Sequence, residues 1–546
     1  MNIKGIKNMM AVALVGVATL CFTACAGDAT IFGGSLNPDN PNPQQTTTVD
    51  WDGILNKIYG NLALTGLTGP HGSSDLPSDI DEGMSVFMRV VWYANELPSD
   101  EALCAWLTDA GIPEFNRGTW GDGHALLRGL YYRCMFGITL CNYFLDTAPT
   151  DLDDYGHKQA EVRFMRALYY YYLMDMYANP PFITHVSSAA PEQATRQQVF
   201  DFIESELKEI IGEGSETNVL AAAKGVTYGR ADVVAGYMLL QRMYLNAEVY
   251  TGTARWADAR DYAEKAINSS YELNTTSFNG YTAYQLLFMG DNDTNGAQKE
   301  IVFPILFDGE LTQSWGGVFL TAGMVNADDA ALYPTGIPSA WGGIRAKPYF
   351  AEKWGINADA LQGSPLDVSE AIGDDRALFM TQGHTYTMDK EDEFTNGYGY
   401  VKFLNTHADG TEAHNSEHTD YDFPLFRLAE AYLTYAEADA RLNGGFVSST
   451  GLNYIKALRT RAHADANLAG FSLSEIEDEW SREFGFEGRR RMDMVRFGNF
   501  TGSRRVWLGG TAAGATLASY RNVFPLPSSD LIANPNLKQN TGYTGN

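Results

Sequence analysis

The stretch that decides the fold is YGRADVVAGYMLLQRMYLNAEVY, residues 228–250, followed after a short turn by WADARDYAEKAIN, residues 256–268. In the first segment Ala235, Leu239, Arg242-Met243 and Leu245-Asn246 recur at spacings of three and four, the period of an amphipathic helix. In the second, Ala259, Ala263 and Ala266 repeat at the same spacing. Small residues there let a neighbouring helix approach closely, so 228–250 and 255–268 read as one helix hairpin.

Working outward, the same pattern returns. Residues 160–177 carry Phe164, Leu168, Tyr171 and Tyr172 on one helical face, and Pro180-Pro181 stops them. Near the C-terminus Leu425, Leu428, Ala429, Tyr432, Ala436 and Ala440 form another face; Asn443-Gly444-Gly445 closes it and residues 452–462 begin a partner. Helix hairpins of this tetratricopeptide type cannot bury their faces alone and must stack, which predicts a mainly α scaffold. Residues 270–424 and 501–546 differ in kind, being rich in Gly, Asn, Asp, Thr and Tyr with short apolar runs such as Ile301-Val302-Phe303. They predict long loops with short strands laid on the helical part, where binding sites usually lie.

The 546 residues include 39 Lys and Arg against 67 Asp and Glu, a formal net charge of −28 at pH 7. This excludes a nucleic-acid binder driven by bulk charge and favours neutral ligands over polyanions. With 45% hydrophobic and 19% charged residues the chain is globular rather than disordered, and 30 Tyr with 10 Trp suit a surface that grips a ligand.

The N-terminus reads as a secretory signal. Lys4 and Lys7 precede an apolar core at residues 9–22, shorter than the ~20 residues of a membrane-spanning helix. Leu20-Cys21-Phe22-Thr23-Ala24-Cys25 resembles the bacterial lipoprotein signal, with Phe22 where Leu is usual; cleavage near Ala24 or Ala26 is the alternative. In the lipoprotein reading residues 1–24 are removed, Cys25 is lipidated, the Pro- and Thr-rich residues 25–49 form a tether, and 50–546 fold as one body. Cys104, Cys134 and Cys141 remain, an odd number without CxxC spacing, so no disulfide framework is expected.

Searches for a GxSxG elbow, a Walker-type phosphate loop, GxGxxG after a strand and HExxH find none. His414 and His418 have a zinc-compatible spacing only if helical, and their surroundings read as loop. Asp291-Asn292-Asp293-Thr294-Asn295-Gly296 offers hard oxygens on a tight turn, suited either to calcium or to a plain Asx turn. Trp315-Gly316-Gly317 and Trp341-Gly342-Gly343 each set an indole beside two glycines in the loop-rich region. Flat rings there point to carbohydrate, whose axial C–H faces pack on π-faces; the alternative is a Trp folded back onto a loop core.

Four segments in order resemble the SusD/RagB family of surface lipoproteins: AEVRFMRALYY at 160–170, FPLFRLAEAYL with AEA at 423–438, EFGFEGRRR at 483–491, and FPLP with NPNLKQN at 524–540. The resemblance implies a SusD-like fold, a tetratricopeptide-like scaffold with a loop-rich binding face, and a glycan binder with no catalytic residue. It also implies a SusC-like TonB-dependent transporter in the outer membrane as partner, on which the protein acts as a lid at the cell surface. By match to the family's starch-binding founding member, Arg89 and Asp109 are hydrogen-bonding positions and Trp315 and Trp341 are platforms. Cys104 stands where that member has a stacking Trp, so Trp92 or Trp106 is expected to supply a replacement ring. Asp291, Asp293 and Glu300 match a region associated with calcium. The expected ligand is a neutral oligo- or polysaccharide, a glucan with α or β linkage. A peptide-binding lid, a surface glycosidase and a lid with little affinity of its own are the rivals.

Overall fold

Asp232 caps the first helix of the decisive hairpin, its carboxylate accepting from the Val234 and Ala235 N–H groups (2.9 and 3.2 Å) in a computed structural model that describes residues 49–543 apart from 67–73, 82, 84, 215, 502–505 and 509–510. The signal at 1–24, Cys25 and the tether up to residue 48 lie outside the described residues. The helix runs Val233–Leu245, shorter than the expected 228–250. Gly229 takes φ +89° before the cap, and Asn246 ends the helix, leaving Ala247–Thr251 as a separate turn. The second helix, Trp256–Ile267, agrees with its expected limits, and Ala259, Ala263 and Ala266 are fully buried. The helix Trp256–Ile267 packs between Val233–Leu245 on one side and Leu428–Leu442 on the other, so its small residues let three helices approach.

Leu428–Leu442 pairs in turn with Ser449–Arg461 through the turn in which Gly444 and Gly445 both have positive φ. Leu425 is not on this helix. It belongs to the strand Phe423–Arg427, which pairs antiparallel with Ile301–Ile305 and feeds directly into the helix. A further hairpin, Ala125–Thr147 with Tyr155–Tyr177, carries Arg196–Ile210 on its outer side. Gly137 permits the crossing: a Cβ there would lie 2.4 Å from the Tyr169 ring. Cys134 and Cys141 are buried, unbridged residues of that hairpin.

The molecule is mainly helical, about 44% helix with short strand pairs, matching the expected class. Much of what joins scaffold to loops is ionic and buried. Arg427 donates to Glu483 and Glu487 (both 2.7 Å), Arg376 to Glu479 (2.9 Å), and Arg461 to Glu300 (3.2 Å). The backbone N–H of Arg489 donates to Glu96 (2.9 Å), and Arg490 forms a buried ion pair with Asp100 (2.7 Å). Removing one partner of such a pair costs about 3–5 kcal/mol because a charge is left buried alone. The consequence is positional: the loop at 96–101 is fixed to the C-terminal helices, and it leads straight into the strand Ala102–Cys104.

Candidate functional site: a row of indoles

Ala102–Cys104 pairs antiparallel with Ile344–Ala346, Cys104 opposite Ile344, and this register sets two loops side by side. One carries Trp106, just past the first strand; the other carries Trp341, just before the second. Backbone bonds lock them: the Ala105 N–H donates to the Gly343 carbonyl (2.9 Å), and the Trp341 and Gly342 N–H groups donate to Ala322 and Val325 (2.8 and 2.9 Å). Ala322 ends a helix, Trp315–Ala322, whose first residue is the third indole. Ser314 caps it, accepting from the Gly316 N–H (3.0 Å) and donating to the Ala63 carbonyl (2.6 Å).

The rings form a row. Trp106 and Trp341 have centroids 6.1 Å apart with planes at 57°, Trp341 and Trp315 are 6.0 Å apart at 52°, and His418 follows 4.8 Å from Trp315. All three indoles are half-buried, and Trp315 and Trp341 rest on an apolar cluster of Val318, Ala322 and Ile337. The Trp341 Nε1–H donates to Ser339 (2.9 Å), fixing that ring's azimuth.

The glycines serve packing. A Cβ on Gly316 would lie 2.4 Å from Val86, one on Gly317 2.2 Å from the Thr419 hydroxyl, and one on Gly343 2.1 Å from Cε2 of Trp106. Gly342 has φ +53°, a left-handed turn that delivers Gly343 under the Trp106 ring. The Trp-Gly-Gly elements are therefore close backbone approaches, and Trp315 opens a helix where the sequence suggested loop.

Cys104 is fully buried, bonded through its backbone to Asn116 (2.7 and 3.2 Å), and burial pushes its thiol up to about 12. Position 104 therefore faces the interior, and no surface ring is missing there. Of the two expected substitutes, Trp106 stands in the row and Trp92 does not. Trp92 is 0% exposed, packs edge-on to Tyr93, Phe319 and Phe486, and donates to the Phe486 carbonyl (2.8 Å). Its placement in a binding face is corrected: it is core.

Arg89 is only 9% exposed; it donates to the Tyr93 hydroxyl (2.9 Å) and the Gly83 carbonyl (3.2 Å) and lies over the Tyr93 and Phe319 rings. It thereby holds Gly83, whose Cα hydrogen faces Trp315: a Cβ there would be 3.2 Å from Cδ1 of that indole. Asp109 is half-buried at the turn after Trp106, its N–H donating to the Trp106 carbonyl (3.1 Å).

The expected calcium residues are not brought together. Glu300 is buried against Arg427 and Arg461, Asp291 accepts from Asn295 and from the Asp409 N–H (3.0 and 3.2 Å), and Asp293 is exposed. No group of three His, Cys, Asp or Glu that could hold a metal ion occurs among the described residues. The trio does not fit a calcium ion. The His segment is loop, as expected; His407 and His414 both turn onto Asp420 (3.0 and 3.2 Å). Against the effect of burial, bonds from His407, the His414 N–H and the Gly309 N–H hold Asp420 at about 2. Sequence reading missed His418 and Ser339 as neighbours of the row; neither carries a local signal, since each reaches it through loop geometry.

A profile of the SusD family matches residues 350–543. The starch-binding protein SusD of Bacteroides thetaiotaomicron is 36% identical over 100% of both chains. The chain belongs to the SusD family. A SusD-like protein of Bacteroides ovatus is 25% identical, covering 62% of this chain and 58% of its own. Among solved structures, a SusD-like protein of Bacteroides fragilis matches with a TM-score of 0.66 at 17% identity, over 90% of this chain and 98% of that one. Surface glycan-binding protein A of Bacteroides fluxus matches with a TM-score of 0.64 at 19% identity, over 90% and 99%. These likenesses establish the SusD-like fold. SusD-family proteins bind carbohydrate and are not enzymes, and they are associated with the outer membrane at the cell surface.

Proposed function

We propose that this SusD-family chain is a cell-surface glycan-binding lipoprotein that captures a neutral glucan on the row Trp106–Trp341–Trp315 and passes it to a TonB-dependent transporter of the outer membrane. The observation that carries the reading is the row itself: three half-buried indoles at about 6 Å intervals on a rigid base. Each ring offers a π-face to the C–H face of one sugar, and tilted planes follow a chain that turns from unit to unit. Arg89 fixes the base beside Trp315, and Asp109 beside Trp106 supplies an acceptor for hydroxyls. The starch-binding name of the relative that is 36% identical supports a glucan. Lipidation of Cys25 after removal of residues 1–24 would anchor the body through its tether, in a membrane that no helix among the described residues is long and apolar enough to cross.

The test is affinity electrophoresis of a soluble 36–546 fragment in gels containing separate neutral polysaccharides, with a mixed-peptide titration alongside. Retardation in a glucan gel is expected. Peptide binding without any retardation would replace this reading by a peptide-importing lid.

A further inference from the structure

Near His418, whose N–H is bonded to Asn415, lies a cleft of about 290 Å³ lined by Pro338, Asn405, Asn415 and Ser416 among others. We infer that this cleft is a second sugar subsite, taking the next unit of a neutral glycan that runs off the Trp315 end of the row. The inference rests on the glycan-binding reading above. Two contacts tie the cleft to the row. Pro338 lines the cleft and is followed by Ser339, which holds the Trp341 indole (2.9 Å). Asn415 also lines it and accepts from the His418 N–H (3.2 Å), whose ring packs on Trp315.

The cleft is built in advance by its own bonds. Gly336, at φ +85°, presses its backbone against Asn405, where a Cβ would lie 2.5 Å from the carbonyl carbon. Asn405 accepts from the Asp420 N–H (2.6 Å), and Asp420 in turn holds His407 (3.0 Å). Its lining includes exposed Glu412 and Ser416 and the Asn415 side chain, with no indole, while the Thr411 hydroxyl is turned onto Asp409 and His407 (2.7 and 2.8 Å). Such a wall suits the hydroxyl edge of a sugar rather than its C–H face, and Glu412 disfavours a uronate or sulfated unit. The volume lies just below the ~300–1,000 Å³ typical of ligand pockets, room for a short stretch of chain and no more.

Isothermal titration with a linear glucan series from the disaccharide to the octasaccharide tests this, using wild type and two variants at exposed positions, Ser416→Trp and Glu412→Ala. In the wild type, affinity is expected to rise roughly tenfold once the chain outgrows the row, the gain of two or three added hydrogen bonds. Ser416→Trp should abolish that step and Glu412→Ala should shrink it, while both bind the shortest retained oligomer as wild type does, which also reports folding. The same step in all three proteins, or no step in the wild type, would overturn the subsite while leaving the row intact. Failure of every oligomer to bind wild type would overturn the glycan reading itself.

Discussion

Trp106 and Trp341 stand 6.1 Å apart, centroid to centroid, because Gly343 has no side chain: a Cβ there would lie 2.1 Å from Cε2 of Trp106. The row of indoles thus depends on an absent methyl group as much as on the rings.

Replacing Gly343 by Val displaces the Trp106 ring without deleting it. The expected result is at least a tenfold loss of glucan affinity with a stability loss of about 1–3 kcal/mol, the usual cost of overpacking. Titration calorimetry with thermal denaturation checks both. Unchanged affinity in the destabilised variant would remove Trp106 from the ligand surface.

Trp92 predicts the reverse pattern. It fills the core between Phe319 and Phe486, so Trp92→Ala should cost about 3–5 kcal/mol and lower Tm. Measured well below that Tm, its glucan affinity should equal that of wild type. A selective loss of affinity at unchanged Tm would restore Trp92 to the site.

Glu96 predicts a pH dependence. Burial raises its carboxyl well above the ordinary 4.5, and the neighbouring Glu101 carboxylate raises it further, while the N–H groups of Arg489 and Arg490 oppose the shift. Folded protein therefore keeps a proton that the unfolded chain releases, and this contribution to stability, full below about pH 4.5, is lost as pH rises toward the folded value. Glu96→Gln has no proton to lose. Its stability relative to wild type should grow from pH 4.5 toward neutrality in denaturant titrations; a difference constant with pH would contradict the shift.

The helical scaffold was legible because its signals are local. Ala259, Ala263 and Ala266 recur at helical spacing, and they are the residues found between three helices. The limits of the hairpin partner Ala125–Thr147 were not read, its face being interrupted by Arg133 and Asn142, whose polar groups are satisfied by distant residues such as Asn61 and Arg166. At the site, Trp315 and Trp341 were found as Trp-Gly-Gly elements, yet the reason for the glycines was not visible. Gly343 answers to Trp106, which only the pairing of residues 102–104 with 344–346 brings near. Cys104 is buried inside that pairing, whereas Trp106 stands two residues on, where the chain has left the ladder and no longer follows its alternation, which alignment by position alone could not decide. Glu300 went astray for a similar reason: its partners Arg427 and Arg461 lie far along the chain.

The most direct test of the central claim is affinity electrophoresis of wild type, Trp341→Ala and the Trp106→Ala/Trp341→Ala double variant in gels containing amylopectin, xyloglucan or mixed-linkage β-glucan. The account predicts retardation of wild type in at least one glucan gel, weaker retardation of the single variant and none of the double variant, with all three folded by circular dichroism. Equal retardation of the folded double variant would contradict it.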